Sequence, residues 1–492
     1  MSNREPENNY HTYGKGYCFD KNGWTYVHIE GEPEERGEQY GNLVADKYMK
    51  ILEKTKYMTY QTTGVPYEYF VKKAVELTKG KIPDELMAEM TGFAKGLSNA
   101  GFKSTVEDII GWNAYSGITG YWWPNQGKDE YQKELLAKKQ YCDDYNGAIT
   151  KGCDFKPQKM RHGHCSAFVA TGSATKDGKI VIGHETFDDF WASGMMNIIL
   201  DMKPTEGARI LMQTAPGYVM SMTDFFVCKS EEHNSGMVGL ETTIIEFSTY
   251  IVDAIPEWVR VREAMQYGYS IEKWIEIMQK DNNGANPSSW LFGDITTNEI
   301  ARFEQGYLFQ NIECKKDGHF FGCNAVSDPR IRNLECTEVG YNDIRRQTGG
   351  RRTRWPQLLT QHNGSITAKI GQEMLADTYD VYLEQEVGGA NTICSMYDND
   401  PRRHFSSLSG VWPDPYTPAG SLDGKITTSE LAKDLKMLAI WGRANGVAFN
   451  AKEFLAKHPQ WEWQKSCLDD RPEQPWTQFS ADDKPNNEIP FV

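Results

Sequence analysis

The sequence predicts a layered α+β protein with largely antiparallel sheets. Three observations predict it: strand-like runs follow one another rather than alternating strictly with helices, helical stretches come in pairs, and a tight turn signal joins neighbouring strands. The first 120 residues read mainly helical. Residues 34–58 place Tyr40, Leu43, Val44, Tyr48, Ile51 and Leu52 close to the helical period. Residues 66–77 and 83–97 each open on a proline, whose missing N–H goes unbonded in a first helical turn anyway. A fourth helix is expected over 105–116. Residues 122–160, rich in Lys, Asp, Gln, Gly and Tyr, hold no apolar period and read as an exposed linker. Beyond Arg161 the texture changes. Residues 165–171 and 179–184 are strand-like around the turn dipeptide Asp177-Gly178, and 197–202, 208–213 and 237–242 continue the pattern. Helices are expected over 255–267 and 270–280, the second with Ile271, Trp274, Ile275 and Met278 on one face. Strands return over 289–295, 300–304, 307–312 and 319–324, and helices over 370–384 and 429–441.

Composition narrows the function classes. The 492 residues are 39% hydrophobic and 12% aromatic with 14 Trp, which suits a packed core and not a disordered chain. Lys and Arg number 53 against 68 Asp and Glu, leaving a formal charge of −15. A chain this acidic repels phosphate backbones, so nucleic acid is not an expected partner. The dense basic cluster Arg345, Arg346, Arg351, Arg352 and Arg354 is too small to reverse that balance. No apolar run approaches the roughly 18 residues of a membrane span. The opening residues hold no apolar stretch of the secretory type, so the sequence as given reads as cytoplasmic, with the compartment left open. Ten cysteines are far below disulfide-scaffold density, although Cys142 and Cys153 are near enough to close a small loop.

Motif absences narrow the chemistry further. There is no GxSxG elbow, HExxH, P-loop or GxGxxG after a strand, so serine-hydrolase, zincin, NTPase and dinucleotide readings lack their carrying residues. What stands out is His162-Gly163-His164-Cys165-Ser166, where the polar linker meets the first hairpin. A zinc site would draw on His162, His164 and His184, and the plainest reading is a core cysteine beside surface histidines. A third reading is a nucleophile that becomes an N-terminus. If the chain cuts itself between His164 and Cys165, the thiol gains its own α-amine as a base, with a pKa of about 7.7–8.0. Gly163 supplies the backbone freedom that lets the thiol reach the His164 carbonyl.

At these residues the chain resembles the phospholipase B-like family and, more broadly, the cysteine N-terminal-nucleophile (Ntn) hydrolases that include isopenicillin-N acyltransferase. His164-Cys165-Ser166-Ala167 and Gly183-His184-Glu185-Thr186-Phe187 match its HCSA and G-H-x-T-aromatic segments. Residues 215–226 (Ala-Pro-Gly through Ser-Met-Thr-Asp-Phe-Phe), 235–243 (ending Glu241-Thr242-Thr243) and 258–262 (Trp-Val-Arg-Val-Arg) are similar to further family segments. Gly31, Arg36-Gly37, Gly41 and Gly92 to Gly96 resemble the helical leader of the acyltransferase relatives. The resemblance implies a four-layer αββα sandwich: residues 1–164 form a helical leader plus linker that stays attached after self-cleavage, and 165–492 form the catalytic chain. It implies acyl hydrolysis or transfer from an amide through a Cys165 thioester, with no cofactor and no metal. Asn324 would stabilise the oxyanion, and His184 would orient the amine or stabilise the intermediate. Thr186, Glu185 and Glu241 would support them, and Arg351 or Arg352 would grip a substrate carboxylate or phosphate. The alternatives are phospholipase B-type ester deacylation of phospholipids and a non-catalytic binding protein of the same fold. The expected partner is a small-molecule or lipid acyl substrate, with further copies of the chain if it forms a homo-oligomer. Glu185 stands where relatives carry Asn, and Ile244 also departs from their pattern, so substrate class does not carry over. Those relatives are lysosomal or secreted.

Overall fold

The computed structural model describes residues 9–142, 164–247, 249–337, 340–400 and 416–485. Three short strands open the chain: β1 (His11–Tyr13), β2 (Gly16–Lys21) and β3 (Trp24–Gly31). The mainly helical expectation for this stretch missed them. Asn22-Gly23, both at positive φ (49° and 82°), turn β2 into β3, and Lys21 pairs with Trp24. Helices α1 (Pro33–Leu43) and α2 (Ala45–Thr63) follow in place of the single helix expected over 34–58. The break falls at buried Val44, whose backbone (φ −110°, ψ 11°) leaves the helical region. Then come α3 (Tyr67–Thr78), α4 (Asp84–Asn99) and α5 (Val106–Gly117), the last opened by a Thr105–Asp108 capping box.

The linker expected over 122–160 is structured where it is described. A wide-turned helical segment, Ile118–Gly127, buries Trp122 and Trp123, and α6 (Lys128–Cys142) continues it. The rest of that linker, with Cys153 and His162, lies outside the described residues, as do the side chains of Cys142 and His164. The eight other cysteines are free thiols.

Strands dominate afterwards: β4 (His164–Thr171), β5 (Val181–Asp189), β6 (Ile198–Pro204), β7 (Arg209–Thr214), β8 (Phe226–Ser230) and β9 (Ser235–Thr243). After α7 (Glu257–Tyr267) and α8 (Ile271–Gln279) come β10 (Ser288–Asp294), β11 (Glu299–Gln305), β12 (Gln310–Lys315) and β13 (Gly318–Gly322). Helices α9 (Gln347–Gln361) and α10 (Ala368–Leu375) lead to a two-strand hairpin, β14 (Tyr379–Asp380) with β15 (Gln385–Glu386). The last elements are β16 (Ala419–Thr428), α11 (Ser429–Lys433), β17 (Lys436–Trp441), α12 (Ala451–Lys457) and β18 (Thr477–Ser480). The helix expected over 429–441 is therefore only α11. Residues 436–441 instead extend between β16 and β18. The helix expected over 370–384 ends at Leu375.

The chain is α+β. A ten-stranded sheet runs β1-β2-β3-β6-β7-β8-β9-β10-β11-β12, and a six-stranded sheet runs β13-β4-β5-β16-β17-β18. Both are antiparallel except where β3 meets β6. One face of the smaller sheet, with Phe168, Ala170 and Ile426, packs under Trp355, Leu358, Met374 and Leu375 of α9 and α10. Its other face sends Ala167, Val169 and Ile182 into a core shared with the larger sheet. On that larger sheet Trp274 of α8 lies 4.5 to 6.1 Å, between ring centres, from Phe226, Trp290 and Phe292. Among the described residues no helix is long and apolar enough to cross a membrane.

Candidate active site

Cys165 is the second residue of β4 and is only 4% exposed. Directly opposed residues in a sheet share a face, so the register fixes its neighbours. Cys165 faces Thr186, Ala167 faces His184, and across β5 Thr186 faces Asp423 while His184 faces Lys425. Cys165, Thr186, His184, Asp423 and Lys425 therefore line the face that also carries Ala167 and Ile182 toward the larger sheet.

The Cys165 backbone is held on both sides. Its N–H donates to Asn324 Oδ1 at 2.8 Å. Its carbonyl oxygen accepts from Arg351 Nη1, and Arg351 Nη2 donates to the same Asn324 Oδ1 at 2.9 Å. Asn324 lies just past β13 with φ +63°, a region that asparagine tolerates better than most residues, and donates from Nδ2 to the Thr243 carbonyl at 2.8 Å. One N–H of its amide is thus committed to the chain. Arg351, on α9, is fully buried, also donates to Ser166 Oγ and the Gln347 carbonyl, and lies over the Phe187 ring. With its donors turned to the chain itself, it is not the substrate grip expected from the sequence. Arg352 does not come to Cys165 at all: it bonds the Tyr341 carbonyl and Asn342 and stacks on Tyr341.

His184 is fully buried, and its Nε2 lies 2.9 Å from the Glu241 carbonyl oxygen. A carbonyl only accepts, so Nε2 carries the hydrogen and Nδ1 keeps a lone pair. Burial, with the charge of Lys425, holds the imidazole well below its ordinary pKa and so neutral. Of the zinc grouping His162, His164 and His184, only the His184 side chain lies within the described residues. The described group with metal-ligand spacing is elsewhere, at His28, Asp201 and Asp482, and Arg209 already sits on both of its carboxylates.

Glu185 alternates to the opposite face from Cys165, where its carboxyl accepts from Ser421 Oγ. Burial raises its pKa well above the usual carboxylate range. Glu241 accepts from Thr243 Oγ1 at 2.9 Å, and burial pushes it up to about 7. Asp224, also buried, is driven up by burial first and then by the charge of Glu241. The Cys165 thiol is itself raised well above its ordinary value, by burial first and then by the negative charge of Glu241, against the opposing charges of Lys425 and Arg351. A thiol held this way keeps its proton.

The sequence reading missed Asp423, Lys425 and Asp224. Lys425, fully buried, donates to Asp423 Oδ1 at 2.6 Å, Thr186 Oγ1 at 2.7 Å and Thr223 Oγ1 at 3.0 Å. Its signal is the Asp-x-Lys spacing inside β16, which puts both charges on one face of a strand.

Comparison with known proteins adds a likeness over the middle of the chain. Residues 128–310 match the family model described as phospholipase B. The chain is 28% identical over 307 residues to phospholipase B-like 1 of Homo sapiens, covering 57% of this chain and 52% of that one. It is 20% identical over 327 residues to putative phospholipase B-like 2 of Bos taurus (58% and 53%). An uncharacterized protein of Archaeoglobus fulgidus is 24% identical over 288 residues (57% and 43%). The chain thus spans about half the length of these relatives. The family model and the two phospholipase B-like proteins agree on what this chain is similar to over its middle stretch.

Proposed function

We propose that the chain is a self-processing cysteine Ntn hydrolase that cleaves or transfers an acyl group from an amide through a Cys165 thioester. The family likeness points to a hydrolase. The observation that carries the finer reading is the grip on the Cys165 backbone, N–H on Asn324 Oδ1 and C=O on Arg351. A nucleophile whose own amine is to serve as base needs that amine held in place. Helices over one face of a sheet, a second sheet on its other face and helices beyond are consistent with an αββα sandwich.

In this reading Cys165 Sγ attacks the His164 carbonyl, the C–N bond breaks as the thiol proton passes to the departing nitrogen, and water hydrolyses the resulting thioester to free the thiol and leave residue 164 as a carboxylate. The freed α-amine, with a pKa of about 7.7–8.0, then takes the thiol proton. The thiolate adds to the substrate carbonyl, and the oxyanion meets the remaining N–H of Asn324, a kind of contact worth about 2.7–4 kcal/mol where measured by deletion. The ammonium returns its proton to the leaving nitrogen, and water hydrolyses the thioester. His184, neutral, with Nε2–H on the Glu241 carbonyl, acts as a fixed wall of the site rather than as the base.

A second reading, ester deacylation of phospholipids, is favoured by the likeness to proteins named phospholipase B-like. Matched substrates, one N-acyl and one O-acyl with the same chain, separate the two by fatty-acid release from mature protein. Faster turnover of the amide, abolished by Cys165→Ala, supports the amide reading. Faster turnover of the ester by the same cysteine moves the assignment to the phospholipase reading. Release of neither from a cleaved protein favours a binding role.

A further inference from the structure

Lys425 is a charge that neither the sequence reading nor the proposed reaction uses. Its three N–H donors are matched one to one: Asp423 Oδ1, Thr186 Oγ1 and Thr223 Oγ1. Lysine only donates, so Thr186 Oγ1 is the acceptor in that bond, and its own hydrogen must point elsewhere. Among the described residues that hydroxyl donates to no acceptor, Cys165 Sγ included. What lies directly across the ladder is Cys165, and opposed residues have Cβ atoms about 4.5–5.5 Å apart. Asp423 also accepts the Thr186 N–H at 3.2 Å, so one carboxylate fixes both the lysine and the threonine.

We propose that Lys425, clamped by Asp423, is a positioning residue for the nucleophile: by holding the Thr186 hydroxyl as an acceptor it leaves that hydroxyl's hydrogen to turn to Cys165 Sγ when the thiolate forms, and it supplies the positive charge beside which the thiolate forms. This rests on Cys165 being the nucleophile of the proposed function. When the thiol proton moves to the α-amine, the sulfur gains a negative charge and the amine a positive one. The Thr186 O–H then donates to the sulfur without giving up its proton, and Lys425 polarises that O–H from the far side. Burial lowers the Lys425 pKa, and the bonded Asp423 opposes that and balances its charge.

Several titratable and charged groups face the thiol: Glu241 of β9, Asp224 of the β7–β8 connection, Arg351 of α9, and Lys425 with Asp423 of β16, while His184 of β5 is held neutral. Glu241 and Asp224 oppose the thiolate, whereas Lys425 and Arg351 favour it. Arg351 is committed to the Cys165 carbonyl and to Asn324, which leaves Lys425 as the cation connected to the thiol side through a hydroxyl.

The test is the pH profile of Cys165 alkylation by iodoacetamide in the mature protein, read by peptide mass, for wild type, Thr186→Val and Thr186→Ser. Valine keeps the shape and removes the hydroxyl, while serine restores it. The expected result is a profile displaced upward by about one pH unit in Thr186→Val, a tenfold slower alkylation near neutrality, with wild-type behaviour regained in Thr186→Ser. A fall in kcat at constant KM accompanies it. The double variant Lys425→Met with Asp423→Asn removes both charges together and is expected to shift the profile in the same direction. Profiles that superimpose on wild type, with Cys165 still labelled and still processed, overturn the role of Lys425 and leave the Ntn reading standing. A wild type that is neither processed nor labelled at Cys165 overturns both.

Discussion

At the scale of single residues, the site sets one reactive group against its own burial. A thiol in a closed sheet interface resists ionisation, and the Asp224–Glu241 pair next to it adds to that resistance. Glu241 makes the pair testable on its own. Its folded value of about 7 lies above the ordinary 4.5, so the folded state holds its proton more tightly than the unfolded state does. The stability this supplies is full below about pH 4.5 and is lost as pH rises through about 7, by up to about 1.4 kcal/mol for each pH unit crossed. Glu241→Gln keeps the shape without the charge. The slope of Tm against pH between 4.5 and 7 is therefore expected to flatten in that variant, and a slope equal to wild type removes the burial argument. Of the candidate site, Cys165, Asn324, His184 and Thr186 were legible because short motifs and a family resemblance carry them. Arg351 was legible only as part of a basic cluster, since nothing in Arg-Arg-Thr-Arg says which guanidinium turns inward. Lys425 was invisible because β16 was not read as a strand, and a lone lysine in a loop reads as solvated.

At the scale of elements, close backbone approach explains the glycines of the first helices. A Cβ on Gly37 or Gly41 would sit 1.9 or 2.1 Å from the carbonyl oxygens of Glu89 and Phe93. One on Gly92 or Gly96 would sit 2.1 or 2.2 Å from those of Glu34 and Glu38. Four glycines on two helices let α1 and α4 meet backbone to backbone. Gly37→Ala is thus expected to destabilise by at least the roughly 1–3 kcal/mol of ordinary overpacking, read as a lowered midpoint in urea unfolding. A wild-type midpoint would mean that the helices separate at no cost. The same scale shows where period failed as a guide. The Asn22-Gly23 turn is a strong hairpin signal, yet strands of six and eight residues around it were read within a helical region. In residues 436–441 a short apolar run carries too few residues to tell a strand from a helix by period alone, and its pairing with β16 and β18 decides it.

At the scale of the molecule, the segment before Cys165 is built into the fold rather than appended to it. β3 pairs along its length with β6, so β1 to β3 form the edge of the ten-stranded sheet. At the other end of the chain, Lys21 meets Asp483, and Arg209 bridges Asp201 to Asp482. A leader held this way stays bound after a cut and leaves only when the whole protein unfolds. The most direct measurement is therefore the mass of wild type beside Cys165→Ala, taken once in native buffer and once after denaturation. The expected result is a native particle of full mass for both, a wild type that separates on denaturation into residues 1–164 and 165–492, and a variant that remains a single chain. A wild type that stays one chain after denaturation, under conditions that allow maturation, contradicts Cys165 as a nucleophile made by self-cleavage.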